Sequence, residues 1–428
     1  MLRERLINLL TEAANKAQKA GKLPSVVLPE ITIERPQNTE HGDYATNLPL
    51  KLARVARANP MVIAQELVTL LPVTEEIESA VAAPPGFINF TLKNEWLSRQ
   101  VDRILKDGES YGNNEMGQGK KVQVEFVSIN PTGPLHVGHG RGAILGSTLV
   151  NILAASGYEV EKEYYFNDAG NQMDIFKRSL YARYLQSLGL KAEVPENGYQ
   201  GNYMIDLAKD ITAKHGDEFQ KLAEPDAIKQ LGEIGIGKIK DKIKEDLQQL
   251  RVEYDVWFRE QSLYENGQYE KVMQLLRKGG YLAEKEGATW FVSTSLGEDK
   301  DNVVVRSNGV PTYFATDIAY HYNKFIERHF DKVINIWGAD HQGHVLRMKA
   351  VVAALGIDPE QLQIIIHQMV TLKRGGELVR VSKRTGDLVT LEEVMDEVGV
   401  DACRFFFLAR SASSQMDFDL ELAKKQSQ

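Results

Sequence analysis

The sequence contains very little cysteine, no excess of basic charge and no long apolar run. Cys403 is the single cysteine among 428 residues, which excludes a disulfide framework and a cysteine-rich zinc site. No apolar run approaches the roughly 18–20 residues that a membrane span requires. Met1–Ile7 mixes charged with apolar residues, unlike a signal peptide. These absences predict a cytoplasmic protein without a membrane partner.

The charge balance is acidic, with 51 Lys and Arg against 59 Asp and Glu and a formal net charge of −8. Taken alone, this balance points away from a nucleic-acid partner, although net charge does not describe local basic tracks. A hydrophobic fraction of 43% and a charged fraction of 26% are ordinary for a globular protein and argue against disorder. The length allows several domains and a sizeable core.

Residues 1–110 are predicted to form a separate, small α+β domain. Leucines recur at helical spacing near the N-terminus, and 48–71 has the pattern of two helices interrupted at Asn59-Pro60. Residues 31–33 and 87–91 alternate like short strands. A glycine-rich polar stretch then separates this domain from the rest of the chain.

The following segment, 111–190, is predicted to begin a nucleotide-binding α/β fold. A strand at 122–127 precedes a turn rich in Pro and Gly, a helix from about residue 138 to 155, and a second strand at 159–166. This order is the βαβ unit of a doubly wound parallel sheet.

Residues 191–287 are predicted to be a mostly helical, highly charged insertion. Strand patterns then return at 289–292, 303–305, 333–337 and 364–366. We therefore predict that 288–384 supplies the second half of the same parallel sheet.

The most informative stretch is 128–142, which follows the first strand of this sheet and has the sequence SINPTGPLHVGHGRG. His136 and His139 lie three residues apart, on one face of the first helical turn. Free peptide N–H groups and the helix dipole make such a helix start a natural site for a phosphate. A metal site or a simple helix cap would also explain an isolated histidine pair, but the strand–turn–helix context favours phosphate binding.

Two motifs resemble those of class I aminoacyl-tRNA synthetases. Residues 136–139, HVGH, resemble the HIGH motif, and 380–384, RVSKR, resemble its partner KMSKS. The likeness is more specifically to the arginyl-tRNA synthetase family and covers essentially the whole chain. The segments that carry it are 124–139, 41–47, 86–90 and 313–320. The resemblance implies a Rossmann-like parallel-sheet catalytic domain with a helical insertion, preceded by a small α+β domain that helps to bind tRNA.

The activity that this resemblance implies is ATP-dependent activation of L-arginine to arginyl-adenylate and its transfer to the 3′ end of tRNA(Arg). ATP would enter with Mg²⁺, and no tightly bound metal is predicted. The implied protein is a cytoplasmic monomer whose partners are tRNA(Arg), L-arginine and ATP. Residues 385–428 would begin a helical junction to an anticodon-binding domain, which is expected to be missing from this chain.

Activation of an amino acid by ATP requires positioning and charge stabilisation rather than a covalent protein nucleophile. By resemblance, His136 and His139 donate hydrogen bonds to the phosphates, and Gly138 packs under the adenine. His136, His139 and Lys383 are therefore the predicted catalytic residues.

The KMSKS-like segment carries the predicted Lys383, which would neutralise the departing pyrophosphate. Arg380 and Ser382 are expected to bind ATP. Arg380 and Val381 stand where the full motif has Lys and Met, and arginine differs from lysine in geometry. The alternative for Lys383 is a solvated surface lysine.

Residues 338–344, GADHQGH, follow a predicted strand at the carboxyl edge of the sheet, where doubly wound folds bind ligands. By resemblance, Gly338 and Asp340 approach the ribose of ATP. His341 and His344 repeat the three-residue spacing, so a metal site is an alternative. We interpret them instead as polar lining of the nucleotide pocket.

A planar guanidinium with five donors requires carboxylates and favours an aromatic wall. By resemblance, Glu125 and Asp317 bind the guanidinium and Tyr313 forms the wall. Alone, Glu125 could be a charge at the sheet edge and Asp317 a solvated acid on a helix. The full predicted arginine-binding set, in which Asn130 and Gln342 hold the α-amino or carboxylate group, is Glu125, Ser128, Asn130, Tyr313, Asp317 and Gln342.

Two other functions are compatible with parts of the pattern. Small-molecule nucleotidyltransferases also begin a helix with H-x-G-H to bind ATP, but they are usually smaller and lack the insertion and the N-terminal domain. A non-catalytic tRNA-binding or regulatory fragment is the second alternative, against which the intact His136, His139 and Lys383 argue.

Overall fold

A computed structural model describes residues 2–168, 170–379 and 389–426. The chain divides into two compact units, Met1–Gly112 and Asn113–Gln428. In the described part of the chain, no helix is both long and apolar enough to span a bilayer.

The first unit packs helices against a small antiparallel sheet whose strand order is β1-β3-β2. Its elements are α1 (Leu2–Lys19), β1 (Tyr44–Thr46), α2 (Leu48–Ala56), α3 (Pro60–Leu70), β2 (Ile77–Ala83), β3 (Phe87–Leu92) and α4 (Asn94–Asp107). Leu6, Ile63 and Phe90 lie in its core. The predicted helix break is confirmed, because Asn59 caps α3 by accepting a hydrogen bond from the backbone N–H of Met61.

The predicted strand at 31–33 is wrong. At this place the structure has only an isolated bridge between Glu34 and Ala45, because β1 pairs instead with β3, Tyr44 opposite Phe90. Alternating apolar residues identify a half-buried segment, but they do not supply a pairing partner.

The second unit is built on a parallel sheet with strand order β11-β10-β4-β5-β6. The first part of the unit contains β4 (Lys121–Phe126), α5 (Val137–Ala155), β5 (Glu159–Phe166), α6 (Asn171–Ser187), α7 (Asn202–His215), α8 (Glu224–Gln249), β6 (Val256–Arg259), α9 (Ser262–Glu265), α10 (Gln268–Lys278), β7 (Leu282–Lys285), β8 (Ala288–Phe291) and β9 (Asn302–Val305). The remainder contains α11 (Tyr313–Tyr322), β10 (Lys332–Gly338), α12 (Val345–Ala354), β11 (Leu362–His367), β12 (Val370–Arg374), β13 (Glu377–Leu378), α13 (Leu391–Val398), α14 (Val400–Leu408), β14 (Met416–Asp419) and α15 (Leu420–Gln426). The predicted α/β parallel-sheet fold is confirmed.

Two strand assignments around the predicted insertion differ from the structure. β6 lies within 191–287 yet pairs in parallel with β5, so this mostly helical segment also supplies an edge strand of the parallel sheet. β8 and β9, which were expected in the parallel sheet, pair with β7 in an antiparallel meander. Short apolar runs indicate strands, but the sheet that each strand joins depends on distant residues.

The segment 385–428, expected to begin a helical junction, also contains a strand. β14 pairs in parallel with β12, Val370 opposite Met416. α13 and α14 pack on α5, where Leu391 and Phe407 lie so close to Gly140 that an added Cβ would approach Leu391 Cδ1 to 2.7 Å. The described part of this segment therefore packs against the helix that begins at the histidine pair.

Candidate active site

The candidate site lies at the carboxyl ends of β4 and β10. From β4 the sheet continues to β5 and β6 on one side and to β10 and β11 on the other. The crevice between β4 and β10 is thus the point at which the direction of the strand order reverses, and doubly wound folds bind ligands at such a point. His136, Ser128 and Asn130 follow β4, and the segment 338–344 follows β10.

His136 and His139 organise the start of α5 by capping each other. The Nδ1 atom of His136 accepts a hydrogen bond from Gly138 N at 3.2 Å, and Nδ1 of His139 accepts one from His136 N at 3.2 Å. The two rings stack with centroids 3.5 Å apart. The motif is therefore a capping box in which imidazoles take the places of the usual Ser or Thr and Glu.

Burial sets the protonation state of both rings, and the capping hydrogen bonds set their tautomer. Burial lowers the pKa of His136, and burial, followed by the nearby His136 and His367, lowers the pKa of His139 to about 3. Both rings are neutral at pH 7, and because each Nδ1 accepts a hydrogen bond, each proton is on Nε2. The helix start thus carries two imidazole Nε2–H donors beside its free peptide N–H groups, which suits a polyphosphate.

Gly138 leaves room for this arrangement. A Cβ added at Gly138 would lie 3.1 Å from His136 Cε1 and 3.2 Å from its Nδ1. The absence of a side chain therefore lets the His136 ring fold back over the helix start.

The segment after β10 is a short 3-10 turn, Ala339–His344, that is open to solvent. The Asp340 side chain is 73% exposed and lies 3.3 Å from His341 Nε2. Gln342 is also exposed. Among the described residues, no group of three or more His, Cys, Asp or Glu side chains is arranged to hold a metal ion.

The chain leaves β4 through two residues with positive φ, Val127 at 68° and Ser128 at 45°. Such values are costly for a β-branched residue and are often found at functional sites. Ser128 Oγ accepts a hydrogen bond from Tyr165 N at 3.1 Å, which fixes the end of β5. Asn130 Nδ2 donates to Gln172 Oε1.

Three carboxylates converge beside this crevice from separate elements: Glu125 on β4, Asp317 on α11 and Glu260 directly after β6. Glu260 is only 3% exposed, and burial raises its pKa to about 7. Burial, followed by Glu260 and Glu125, raises the pKa of Asp317 to about 7 as well. Asp317 and Glu260 are therefore partly protonated near pH 7, and a cation that enters the pocket would favour their ionised forms.

Glu260 is the residue that the sequence predictions missed. It follows a four-residue strand inside a segment interpreted as a helical insertion, so nothing local marked it as a site residue. The available signal was its position: an acidic residue immediately after a strand of a parallel sheet lies at the ligand-binding edge.

Tyr313 begins α11 and lies beside these acids, 45% exposed. Burial, followed by Glu260, raises its pKa. Its hydroxyl is near Gly170, where an added Cβ would be 3.4 Å away. The structure therefore brings Asp317, Glu125 and Glu260 together in one acidic pocket. The ring of Tyr313 lies on the solvent side of this pocket.

Arg380, Ser382 and Lys383 lie outside the described residues. The described chain resumes next to the histidine pair, because His136 forms an isolated β-bridge with Thr390, and Leu391 N donates to Leu135 O at 2.8 Å. Thr390 then caps α13 in a second capping box, with Glu393.

Comparison with known proteins assigns the chain to a family. The model for the catalytic domain of class I (R) tRNA synthetases matches residues 100–407, and the model for the N-terminal domain of arginyl-tRNA synthetases matches residues 4–92. The chain belongs to the arginyl-tRNA synthetase family. A curated relative from Dehalococcoides mccartyi, named arginine–tRNA ligase, is 58% identical over 422 residues, which cover 99% of this chain and 76% of the relative.

Other family members agree with this assignment. The arginine–tRNA ligase of Carboxydothermus hydrogenoformans is 53% identical over 96% of this chain and 74% of its own length. A crystal structure described as an arginyl-tRNA synthetase from Campylobacter jejuni is 36% identical, with a TM-score of 0.72 over 77% of this chain and 72% of its own. The Thermus thermophilus arginyl-tRNA synthetase shares the fold at 23% identity, with a TM-score of 0.70 over 99% of this chain and 78% of its own.

Proposed function

We propose that the chain activates L-arginine with ATP to form arginyl-adenylate and pyrophosphate, and then transfers the arginyl group to the 3′ end of tRNA(Arg), releasing AMP. The observation that carries this proposal is the pairing of a neutral histidine-capped helix start with an acidic pocket at one edge of the parallel sheet. The 58% identical relative named arginine–tRNA ligase supports the same reaction.

The acidic pocket would select the amino acid. An arginine guanidinium offers five donors and a permanent charge, which match the ionised forms of Glu125, Asp317 and Glu260. Tyr313, at the mouth, would cover the planar group. A neutral side chain of similar length would leave these buried acids without a partner, and that loss would exclude it.

The histidine pair would serve the chemical step. The arginine carboxylate attacks the α-phosphorus of ATP, which enters as its magnesium complex, and the bond to pyrophosphate breaks. His136 and His139 would donate their Nε2–H groups to the phosphate oxygens as charge builds on them. No proton needs to leave either ring, which agrees with their lowered pKa values.

The remaining predicted residues complete the proposal. Lys383 would neutralise the departing pyrophosphate, and Arg380 and Ser382 would bind ATP. Gly338 and Asp340 would approach the ribose from the end of β10. Ser128 would act by holding β5, since its hydroxyl already accepts from Tyr165 N.

Asn130 and Gln342 would hold the α-amino and carboxylate groups of arginine. Both residues lie at the ends of the strands that flank the crevice, Asn130 after β4 and Gln342 after β10. We further infer a monomer that acts in the cytoplasm, where tRNA is charged, and sedimentation of the purified chain would check the monomer.

The test is arginine-dependent exchange of pyrophosphate into ATP, with and without tRNA(Arg). Because activation in this family generally waits for tRNA, we expect exchange with arginine when tRNA is present. Lysine and citrulline are matched comparators, since one differs in the shape of its cation and the other lacks the charge. Exchange supported by another amino acid, or no exchange with both arginine and tRNA present, would contradict the proposal; the second result would favour a non-catalytic tRNA-binding protein.

A further inference from the structure

Lys324 is a completely buried lysine beneath the candidate arginine pocket. It is 0% exposed and belongs to a π-helical turn, Asn323–Glu327, that continues α11. A π-turn is wider than an α-helical turn, changes the direction of the side chains that follow, and is frequently found at functional sites. Burying an ammonium group costs free energy unless the group is paired and hydrogen-bonded. The contacts of Lys324 therefore indicate its role.

Those contacts lead directly to the pocket. Lys324 Nζ lies 2.5 Å from Glu125 Oε2 and 3.0 Å from Asn335 Oδ1. It also lies 4.1 Å from the ring centroid of Tyr320, a cation–π distance. The charge of Glu125, one of the three pocket carboxylates, is therefore already matched inside the protein.

The network continues as a chain of donors that points toward Asp317. Asn335 Nδ2 donates to His321 Nε2 at 2.9 Å, and His321 Nδ1 donates to the carbonyl oxygen of Asp317 at 2.8 Å. Burial, followed by Lys324, lowers the pKa of His321 to about 3, so this ring is neutral with its proton on Nδ1. Every link has one direction, from Lys324 to the backbone of the residue proposed to bind arginine.

The pocket charges explain why a cation is needed here. Three carboxylates facing one incoming guanidinium would repel one another, and two of them would take up protons. Lys324 lowers the pKa of Asp317 and so opposes this repulsion. The charged and titratable groups around Asp317 are Glu125 on β4, Tyr165 on β5, Glu260 after β6, His321 and Lys324 on α11 and its continuation, and Arg347 on α12, whose Nε lies 3.9 Å from Glu298 Oε1.

We propose that Lys324 is a positioning residue for arginine: its ammonium fixes Glu125 and offsets the repulsion among the pocket carboxylates, which favours their ionised forms when a guanidinium arrives. This inference rests on the proposed arginine specificity. It assigns to Lys324 an internal counter-ion role without contact to the substrate.

The experiment measures arginine binding by calorimetry between about pH 5.5 and 9, where raised carboxyl pKa values titrate. The variants, each made in the 428-residue chain, are Lys324→Met, Lys324→Arg, Glu125→Gln and the double variant Lys324→Met/Glu125→Gln. For Lys324→Met we expect the midpoint of arginine affinity to move up by about one pH unit, the effect of losing one nearby positive charge. Glu125→Gln should move it down, and Lys324→Arg should keep it near the wild-type value.

The double variant is the deciding arm, because it removes the buried pair together and remains informative if Lys324→Met does not fold. We expect its midpoint to return to within about half a pH unit of the wild type. Two results would overturn the inference about Lys324 and leave the proposed function standing. In the first, the wild type binds arginine and Lys324→Met has the same pH midpoint as the wild type. In the second, the midpoint of the double variant shifts as far as that of Lys324→Met. A wild type that binds no arginine would overturn the proposed function and this inference with it.

Discussion

The two halves of the candidate site are built in opposite ways. The phosphate side is local and neutral, since His136 and His139 lie three residues apart and complete each other's hydrogen bonds with the backbone of α5. The arginine side is distributed and charged, since Glu125, Glu260 and Asp317 come from three distant parts of the chain. Burial raises the pKa values of Glu260 and Asp317, and the neighbouring carboxylates raise that of Asp317 further.

This difference separates two kinds of recognition. A polyphosphate needs donors aimed at oxygen atoms, and a helix start with capped imidazoles supplies them from a short sequence. A guanidinium needs several converging acceptors, and one short segment cannot supply them on opposite sides of a planar group. Changes on one side should therefore leave the other side's substrate almost untouched.

The largest expected effect is the loss of the arginine-side charge. Asp317→Asn keeps the size of the side chain but removes its charge, and we expect the KM for arginine to rise by about 100-fold or more, as for a truncated buried ion pair. The KM for ATP should change by less than about threefold, because the phosphate side does not contact this residue. Pyrophosphate exchange with each substrate varied in turn gives both values.

Asp340→Asn is the matched control, because it removes one acid from the ATP side. It should raise the KM for ATP and leave that for arginine unchanged. Equal effects of Asp317→Asn on both substrates would mean that the two halves are not separate.

A second, smaller effect concerns the histidine pair. His136→Asn retains a good N-cap but lacks the Nε2–H donor, and removing one such donor costs about 100-fold in kcat. His136→Ala should lose the same activity and, in addition, about 1 kcal/mol of unfolding free energy, because the cap is lost. Urea denaturation and single-turnover activation measure the two quantities. If His136→Asn were as active as the wild type, His136 would be a cap and nothing more.

The same contrast explains which parts of the site could be predicted from the sequence. The start of α5 was predictable because its turn residues, its cap and its donors all lie within a few positions. Tyr313 and Asp317 lie four residues apart, a spacing that places two side chains on one face of a helix, and both residues do lie on α11.

Residues whose position depends on distant pairing were not predictable. Glu260 follows β6, a four-residue strand whose place in the parallel sheet is set by its pairing with β5. Lys324 lies in a π-turn, which breaks the 3.6-residue periodicity from which helical faces are inferred. β8 and β9 were recognised as strands, but their antiparallel partner β7 was not evident in the local pattern.

The pH dependence of arginine affinity should report the charged half alone. The guanidinium stays protonated, whereas Asp317 and Glu260 both have pKa values raised to about 7. Arginine must displace these protons below pH 7, so its Kd should rise by about ten- to a hundredfold for each unit below this pH and level off above it. Calorimetry at several pH values measures this slope, and Asp317→Asn should make it shallower, because Glu260 would still titrate.

The free energy of unfolding of the unliganded protein should fall as the pH rises, whereas the affinity for arginine should increase. A carboxyl whose pKa rises on folding holds a proton that the unfolded chain has lost, so the unliganded protein should lose this contribution as the pH rises from about 4 to 7. Saturating arginine should therefore raise the Tm more at pH 8 than at pH 6. An equal increase at both values would contradict the raised pKa of Asp317.

The smallest expected effect tests how finely the neutral half is packed. Gly138→Ala places a methyl group 3.1 Å from His136 Cε1, which is tight enough that the ring must move by a few tenths of an ångström. Because an imidazole donor loses strength steeply with misalignment, we expect kcat to fall by about three- to tenfold while arginine affinity stays unchanged. Gly237→Ala on α8 is the matched control, since nothing lies within 4 Å of its added Cβ and the change should stabilise the helix by about 0.5–1 kcal/mol. If both variants kept full kcat, the ring of His136 would have freedom to move, and the preorganisation inferred from its stacking on His139 would be wrong.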